Sequence, residues 1–159
     1  GVALLENSMA LRHLQEQGAA SKEFSLPLGF GGDYHTTEDF AQGIKKQVGK
    51  VLVPDAGIIG GVKMLAQTAD LAQQAKLKMA PTLQGGPLSL LTVALSLAGR
   101  KEVLWITSPY QEEWLKEDGV LRRPLQMEKG SLISKSCEID ETKFQVQRIA
   151  QLETKNKEK

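Results

Sequence analysis

Five short apolar runs recur along the chain: Val2-Ala-Leu-Leu5, Phe24-Ser-Leu-Pro-Leu28, Val51-Leu-Val53, Leu77-Lys-Met-Ala80 and Val103-Leu-Trp-Ile106. Their centres lie about 25 residues apart, close to the roughly 30 residues per unit of a (β/α)₈ barrel of about 250 residues. Helical patterns fill the intervals. Thr36-Thr-Glu-Asp39 opens one with a hydroxyl followed by acids, which is N-capping chemistry. Val62, Leu65, Ala69, Leu71 and Ala72 place an apolar face on a second, and Leu88 to Leu97 is so apolar throughout that burial against neighbours is expected. Strands alternating with helices predict an α/β fold with a parallel sheet. Five units cannot close an eight-stranded barrel, which leaves an open doubly wound sheet or the later part of a barrel. A final amphipathic helix is expected from Asp140 through Phe144, Val146, Ile149 and Leu152, after a loop marked by Gly119, Pro124 and Gly130. The βα units thus occupy residues 1–135, and a closing segment with a charged tail occupies 136–159.

The 159 residues suit one domain, and 41% apolar side chains can build a sizeable core. Twenty basic against nineteen acidic side chains leave a net charge of +1, so the overall balance calls for neither nucleic acid nor an anionic membrane. Cys137 is the single cysteine, which excludes an internal disulfide and, with no His or Cys partner at finger spacing, a structural zinc site. No apolar run approaches the roughly 20 residues that span a bilayer, and the reading is a soluble, intracellular chain. The start at Gly1-Val2 without Met fits a processed product, such as an organellar protein after loss of a targeting peptide, or part of a longer protein.

In parallel α/β folds chemistry sits at the carboxyl ends of strands. The residues to watch are therefore Glu6-Asn7, Gly31-Gly32-Asp33 with His35, Asp55, Thr82 with Gln84, and Thr107-Ser108. Two or three carboxylates converging there could hold a hard cation such as Mg²⁺; the alternative is that Glu6 and Asp55 cap helices or pair with Lys and Arg. Gly57, Gly60 and Gly61 could cradle a phosphate, but their spacing matches neither a dinucleotide fingerprint nor a Walker loop, and positive φ in a tight turn explains them more simply. His35 beside Asp33 reads as a general base or as a solvated loop residue. His13 reads as a surface residue, Trp105 as core, and Trp114 as part of a polar loop. No Ser-His-acid set stands at a recognisable spacing, and neither Ser108 nor Cys137 has a nucleophile's context.

The stretch Val53-Pro-Asp55-Ala-Gly-Ile-Ile-Gly-Gly-Val-Lys63, followed by Leu77-Lys-Met-Ala-Pro-Thr82, resembles the enolase superfamily in its mandelate racemase and muconate-lactonizing branch. There a strand ends in Pro-Asp, a Gly-Gly turn enters a helix, and the next strand ends in Pro-His. Leu4-Leu-Glu6-Asn-Ser resembles the Ile-Glu-Glu-Pro strand end, Leu26 to Asp33 the Gly-Glu-Ser strand end, and Cys137-Glu-Ile-Asp-Glu141 the closing Val-Glu-Ile-Asp-Glu segment. The resemblance implies the fourth to eighth strands of a (β/α)₈ barrel with the C-terminal tail. It also implies enzymes that bind Mg²⁺ through three acids and abstract a proton α to a carboxylate.

By the same resemblance Glu6 matches a metal ligand and Asp55 the acid that partners the catalytic His. Gly32 falls where the next Glu ligand belongs, with Asp33 one residue late and rescued only by a bulge; Thr82 replaces the His base; and Thr107 stands near the eighth-strand acid. The capping domain, the Lys-x-Lys strand and the first metal-binding Asp have no counterpart in these residues. Two functions are therefore expected. One is a non-catalytic structural or accessory subunit of a larger assembly, with no cofactor. The other is the C-terminal part of a Mg²⁺-dependent dehydratase, epimerase or o-succinylbenzoate synthase, a branch whose members can lack that His, acting on a carboxylate. Either way another chain or segment is expected to cover the sheet edges near Leu5 and Trp105.

Overall fold

A computed structural model of the protein describes residues 4–6, 13–108, 125–128 and 131–133. The expected final helix, the closing 137–141 segment, Cys137, Trp114, the 119–124 loop and the charged tail lie outside the described residues. Two compact units are present, one of residues 1–85 with 89–109 and the other of 86–88 with 110–159.

In the first unit the elements alternate: β1 (Leu5–Glu6), α1 (Leu14–Glu23), β2 (Leu28–Phe30), α2 (Thr37–Lys45), β3 (Val51–Leu52), α3 (Val62–Gln74), β4 (Lys78–Met79) and α4 (Pro87–Ser96), the last beginning in the second unit. In the second unit β5 (Gln126–Glu128) and β6 (Ser131–Ile133) pair antiparallel. Strands β1 to β4 form one parallel sheet in the order β1-β2-β3-β4. Each strand lies beside its sequence neighbour, with no reversal of order. A doubly wound sheet requires such a reversal, and the described strands contain none.

Local chemistry accounts for the helix starts. The Thr36 hydroxyl accepts from the Asp39 N–H while the Asp39 carboxylate accepts from the Thr36 N–H, a reciprocal capping box at the head of α2. The expected apolar face of α3 is met at Leu65, Ala69 and Ala72, all fully buried, whereas Val62 in the first turn is exposed. In α4 Leu90, Leu91 and Val93 are buried but Leu95 is 59% exposed, so that helix is not enclosed on all sides as its composition suggests.

The period-two alternation of strands sorts residues onto two faces. Toward the helices point Phe30, whose ring packs on Phe40 and Tyr34 and crowds the backbone at Gly43 of α2, together with the buried Leu28. On the other face Leu4 packs against the buried Val51, Val53 and Ala80. Asp55 and Thr82 follow the parity of that second face.

The fifth run does not form a regular strand. Met79 bridges Val103 and Thr82 bridges Thr107, so the second bridge has slipped by one residue relative to the first. Proline supplies the reason. Regular continuation needs a Pro81 N–H to donate to the Leu104 carbonyl, and proline has none; instead the Thr107 N–H donates to the Pro81 carbonyl at 2.9 Å, with an extra residue accommodated between. Such an irregularity twists the edge. Trp105, expected in the core, is 41% exposed here, and Leu104 beside it is exposed as well. At the opposite edge Leu5 is also exposed.

Arg100 ties this edge to α3. Its Nη1 donates to Asp70 at 2.7 Å and to the buried Glu102 at 3.2 Å. The bond to Asp70 holds the guanidinium above its ordinary pKa.

Candidate functional site

The carboxyl ends of β1 to β4 lie along one side of the sheet and carry four of the candidate positions, at Glu6, Asp33, Asp55 and Thr82, while Thr107 of the fifth run bridges to Thr82 beside them. Glu6 closes β1 and pairs in register with Gly29, its side chain running beside that glycine on the face that carries Leu4 and Val53. Gly29 in turn pairs with Val51. Asp55 stands four residues beyond Val51 along its own strand, so the pairing does not set the two carboxylates side by side. Among the described residues no hydrogen bond or ion pair engages the Glu6 side chain.

After Phe30 the chain leaves the sheet. Gly31 takes φ = 113° and its carbonyl accepts from the Tyr34 N–H at 3.1 Å, closing a turn over Gly32 and Asp33. Neither residue continues the pleat, and the bulge that would return Asp33 to the site face is replaced by this turn. Asp33 is exposed. Its neighbour Tyr34, a residue the sequence reading passed over, is 1% exposed, with its Oη lacking a partner among the described residues. Burial pushes the phenol's pKa far up, and the charges of Asp33 and Asp39 push it the same way. The signal was available: Tyr34 and Phe40 flank a helix start and their rings meet at 5.0 Å. His35 is exposed, its backbone N–H held by Asp39.

Asp55 is the most constrained of the set. It is 7% exposed. Its Oδ1 accepts from the Gly57 N–H at 2.8 Å and the Ile58 N–H at 3.1 Å, and its Oδ2 accepts the Thr82 hydroxyl at 3.4 Å. Pro54 lacks the N–H that would continue the β3–β4 ladder, yet the Thr82 N–H to Pro54 carbonyl bond restores the register and sets residues 55 and 82 opposite one another. Of the three glycines that follow, Gly60 and Gly61 have positive φ, at 96° and 87°, and Gly61 is the N-cap of α3. The glycine-rich stretch is therefore a turn whose first N–H groups are already taken by the carboxylate before it. The N–H groups of Ile59 and Gly61 are likewise engaged within the turn, by the carbonyls of Asp55 and Ala56.

This arrangement predicts the consequences of replacing Asp55. Alanine removes the acceptor of two backbone N–H groups and is expected to cost about 1–2 kcal/mol, toward the low end because Gly57 and Ile58 are solvent-accessible. Asparagine keeps an Oδ1 for both N–H groups and turns an amide toward a hydroxyl that can also accept, so its cost should be roughly 0.5 kcal/mol or less. Denaturant titration of both variants checks the order; equal losses would show that the charge, rather than the acceptor geometry, matters.

A magnesium site of the kind the resemblance implies needs several oxygen ligands in octahedral reach. The described residues contain no group of three His, Cys, Asp or Glu that could hold a metal. Glu6 supplies one carboxylate, Asp33 lies on an exposed turn, and Asp55 is committed to its turn. The described residues do not by themselves fit the ion. No helix among them is long and apolar enough to cross a membrane.

A singly wound parallel α/β sheet, with acids and hydroxyls along the carboxyl ends of its strands, defines the class of barrel-type α/β domains. The sequence profile of the family described as enolase C-terminal domain-like matches residues 1–136, and the chain belongs to that family. Among curated proteins there is no significant sequence match. Solved structures with the same fold include a mandelate racemase/muconate lactonizing enzyme from Sulfitobacter sp (19% identity, TM-score 0.74, covering 87% of this chain and 36% of that one). Another is a mandelate racemase/muconate lactonizing enzyme-like protein from Rubrobacter xylanophilus DSM 9941 (19% identity, TM-score 0.73, 87% and 35%). A third is L-talarate dehydratase from Polaromonas sp. JS666, solved with Mg and L-glucarate (19% identity, TM-score 0.65, 86% and 35%). The chain thus spans about a third of the length of the structures it matches.

Proposed function

We propose that this chain is an arc of an enolase-superfamily barrel that serves as a non-catalytic structural subunit of a larger assembly. The observation that carries the reading is the state of Asp55. Its oxygens are engaged by the turn and by Thr82, and the position where the resemblance places an imidazole base holds a hydroxyl that cannot accept a proton near neutral pH. The uninterrupted strand order supports the barrel arc, with the fourth to eighth strands as the segment represented.

A second reading is favoured by Glu6, a half-buried carboxylate at a strand end with no partner among the described residues. In that reading the chain contributes Glu6 to a Mg²⁺-dependent site acting on a carboxylate, completed by residues from elsewhere in the same or another chain. The likeness to a dehydratase solved with Mg is consistent with it.

One experiment separates the two: deuterium exchange at the α-carbon of sugar acids and succinylbenzoate-type acids in D₂O with Mg²⁺, alongside calorimetric Mg²⁺ titration of the natural protein. The structural role predicts no exchange and no saturable binding. Exchange or micromolar Mg²⁺ binding that disappears in Glu6→Gln would reverse the choice.

Partner cover is the other part of the proposal. Leu5 on one edge strand, and Leu104 with Trp105 at the other edge of the described sheet, leave apolar surface on edge strands, a combination that attracts further strands. The isolated 159 residues are expected to self-associate in sedimentation velocity. A monodisperse monomer that stays folded over the micromolar range would contradict this.

A further inference from the structure

The near-neutral net charge conceals a strong separation of charge between the two ends of the sheet. At the carboxyl ends of the strands stand Glu6, Asp33, Glu38, Asp39 and Asp55, against one exposed lysine among the described residues, Lys63 in the first turn of α3. At the opposite end, where each helix runs down to the next strand, Lys22, Lys45, Lys46, Lys50, Lys76 and Lys78 are all exposed. The Lys78 ammonium donates to the carbonyl of Lys101, another exposed cation on the same floor. Acids there are few: Glu23 is adjacent in sequence to Lys22, and Glu102 is committed to Arg100.

Favourable interaction with helix dipoles accounts for Lys22 and Lys45, which occupy the last turns of α1 and α2. It does not account for Lys50, just before β3, or Lys78, the first residue of β4, which lie beyond the helices. Two further features mark this floor. Gln47 and Lys76 adopt left-handed backbone, at φ = 56° and 57°, just after the ends of α2 and α3, where glycine would sit without strain. Long polar side chains are kept there instead. Beside Gln47 opens a groove of about 580 Å³, lined by the apolar Phe24, Ile44 and Leu77 together with Lys22 and Lys50. Phe24 is 54% exposed, and Leu26 close to it in sequence is exposed as well.

We propose that this floor groove docks an acidic protein segment bearing an apolar anchor residue. Its volume lies within the roughly 300–1,000 Å³ of ordinary ligand pockets. Charge complementarity selects the occupant. Carboxylates flanking the anchor meet Lys22 and Lys50, while the anchor covers Phe24 and Leu77. A flat bilayer cannot enter the recess, and a nucleic-acid backbone offers no aliphatic group to fill it. The floor lies at the opposite end of the sheet from Glu6 and Asp55, so the proposal stands whichever function holds at the strand carboxyl ends.

The test is fluorescence anisotropy on the natural protein with a labelled peptide carrying Leu-Phe between Asp and Glu residues. The same titration is run on Lys22→Glu/Lys50→Glu and on Phe24→Ser, all of them exposed positions whose replacement should leave the fold intact. Saturable binding is expected, weakened about tenfold by the charge reversal, comparably by Phe24→Ser, and progressively by added salt. Absence of saturation would overturn the proposal, as would affinity unchanged in either variant or equal binding by a peptide with Gly-Ser in place of Leu-Phe. Preferential binding of phosphatidylserine vesicles or duplex DNA, with the same variants losing it, would also overturn it in favour of a membrane or nucleic-acid surface.

Discussion

Phe40→Ala is expected to destabilise the chain by about 3–5 kcal/mol, enough to leave a marginal domain largely unfolded at ambient temperature. Phe40 is fully buried on α2, and its ring contacts two others, Tyr34 at 5.0 Å and Phe30 at 6.4 Å between centroids. Phe30 is the last residue of β2 and Tyr34 closes the turn after it. Truncating Phe40 therefore removes the transfer energy of a large side chain and leaves a cavity among groups anchored on three separate elements, which limits collapse around it. Urea titration followed by far-ultraviolet circular dichroism measures the loss. A change below about 1 kcal/mol would mean that the three-ring cluster is not part of the stabilising core.

Gly31→Ala carries the second large effect. At φ = 113° a side chain is strained wherever it points, and a Cβ at Gly31 would overlap the Phe40 ring itself. The left-handed conformation alone costs roughly 1–2 kcal/mol, and displacement of the ring adds packing loss, for an expected total of about 3 kcal/mol or more. The two predictions are coupled, which makes them easy to check together. In Phe40→Ala the ring is gone, so adding Gly31→Ala should cost only its backbone share, and the double-mutant cycle should show an interaction of about 1–2 kcal/mol. Simple additivity would place the whole effect of Gly31→Ala in its backbone conformation.

At two strand ends a single backbone donor sets the local course of the chain. The resemblance puts Gly32 at a ligand position with Asp33 one residue late and recoverable only through a bulge; the hydrogen bond from the Tyr34 N–H to the Gly31 carbonyl closes a turn there instead. Trp105 sits in an apolar run that reads as a core strand, yet Pro81 on the neighbouring strand denies it a regular ladder. In each case a single backbone donor, present at Tyr34 and absent at Pro81, decided the outcome. Such donors act across the sheet or turn, where periodicity carries no information.

The likeness of the Pro-Asp and Gly-Gly motifs to a known family was legible because these residues serve local geometry: proline ends a ladder, glycines take positive φ, and an acid satisfies the turn it precedes. The same locality made the capping box at Thr36 and Asp39 readable directly. The alternation of apolar runs and helices likewise determined a parallel α/β chain, since each element advertises its own buried face. What only the tertiary structure decided is which of these elements meet. The pairing of Glu6 with Gly29 places its carboxylate out of line with Asp55, the bond from Thr82 ties Asp55 to the neighbouring strand, and the succession of parallel βα units gathers lysines scattered from 22 to 101 onto one floor. Register and the direction of parallel strands are properties of pairs of segments, so neither net charge nor motif spacing along one chain contains them.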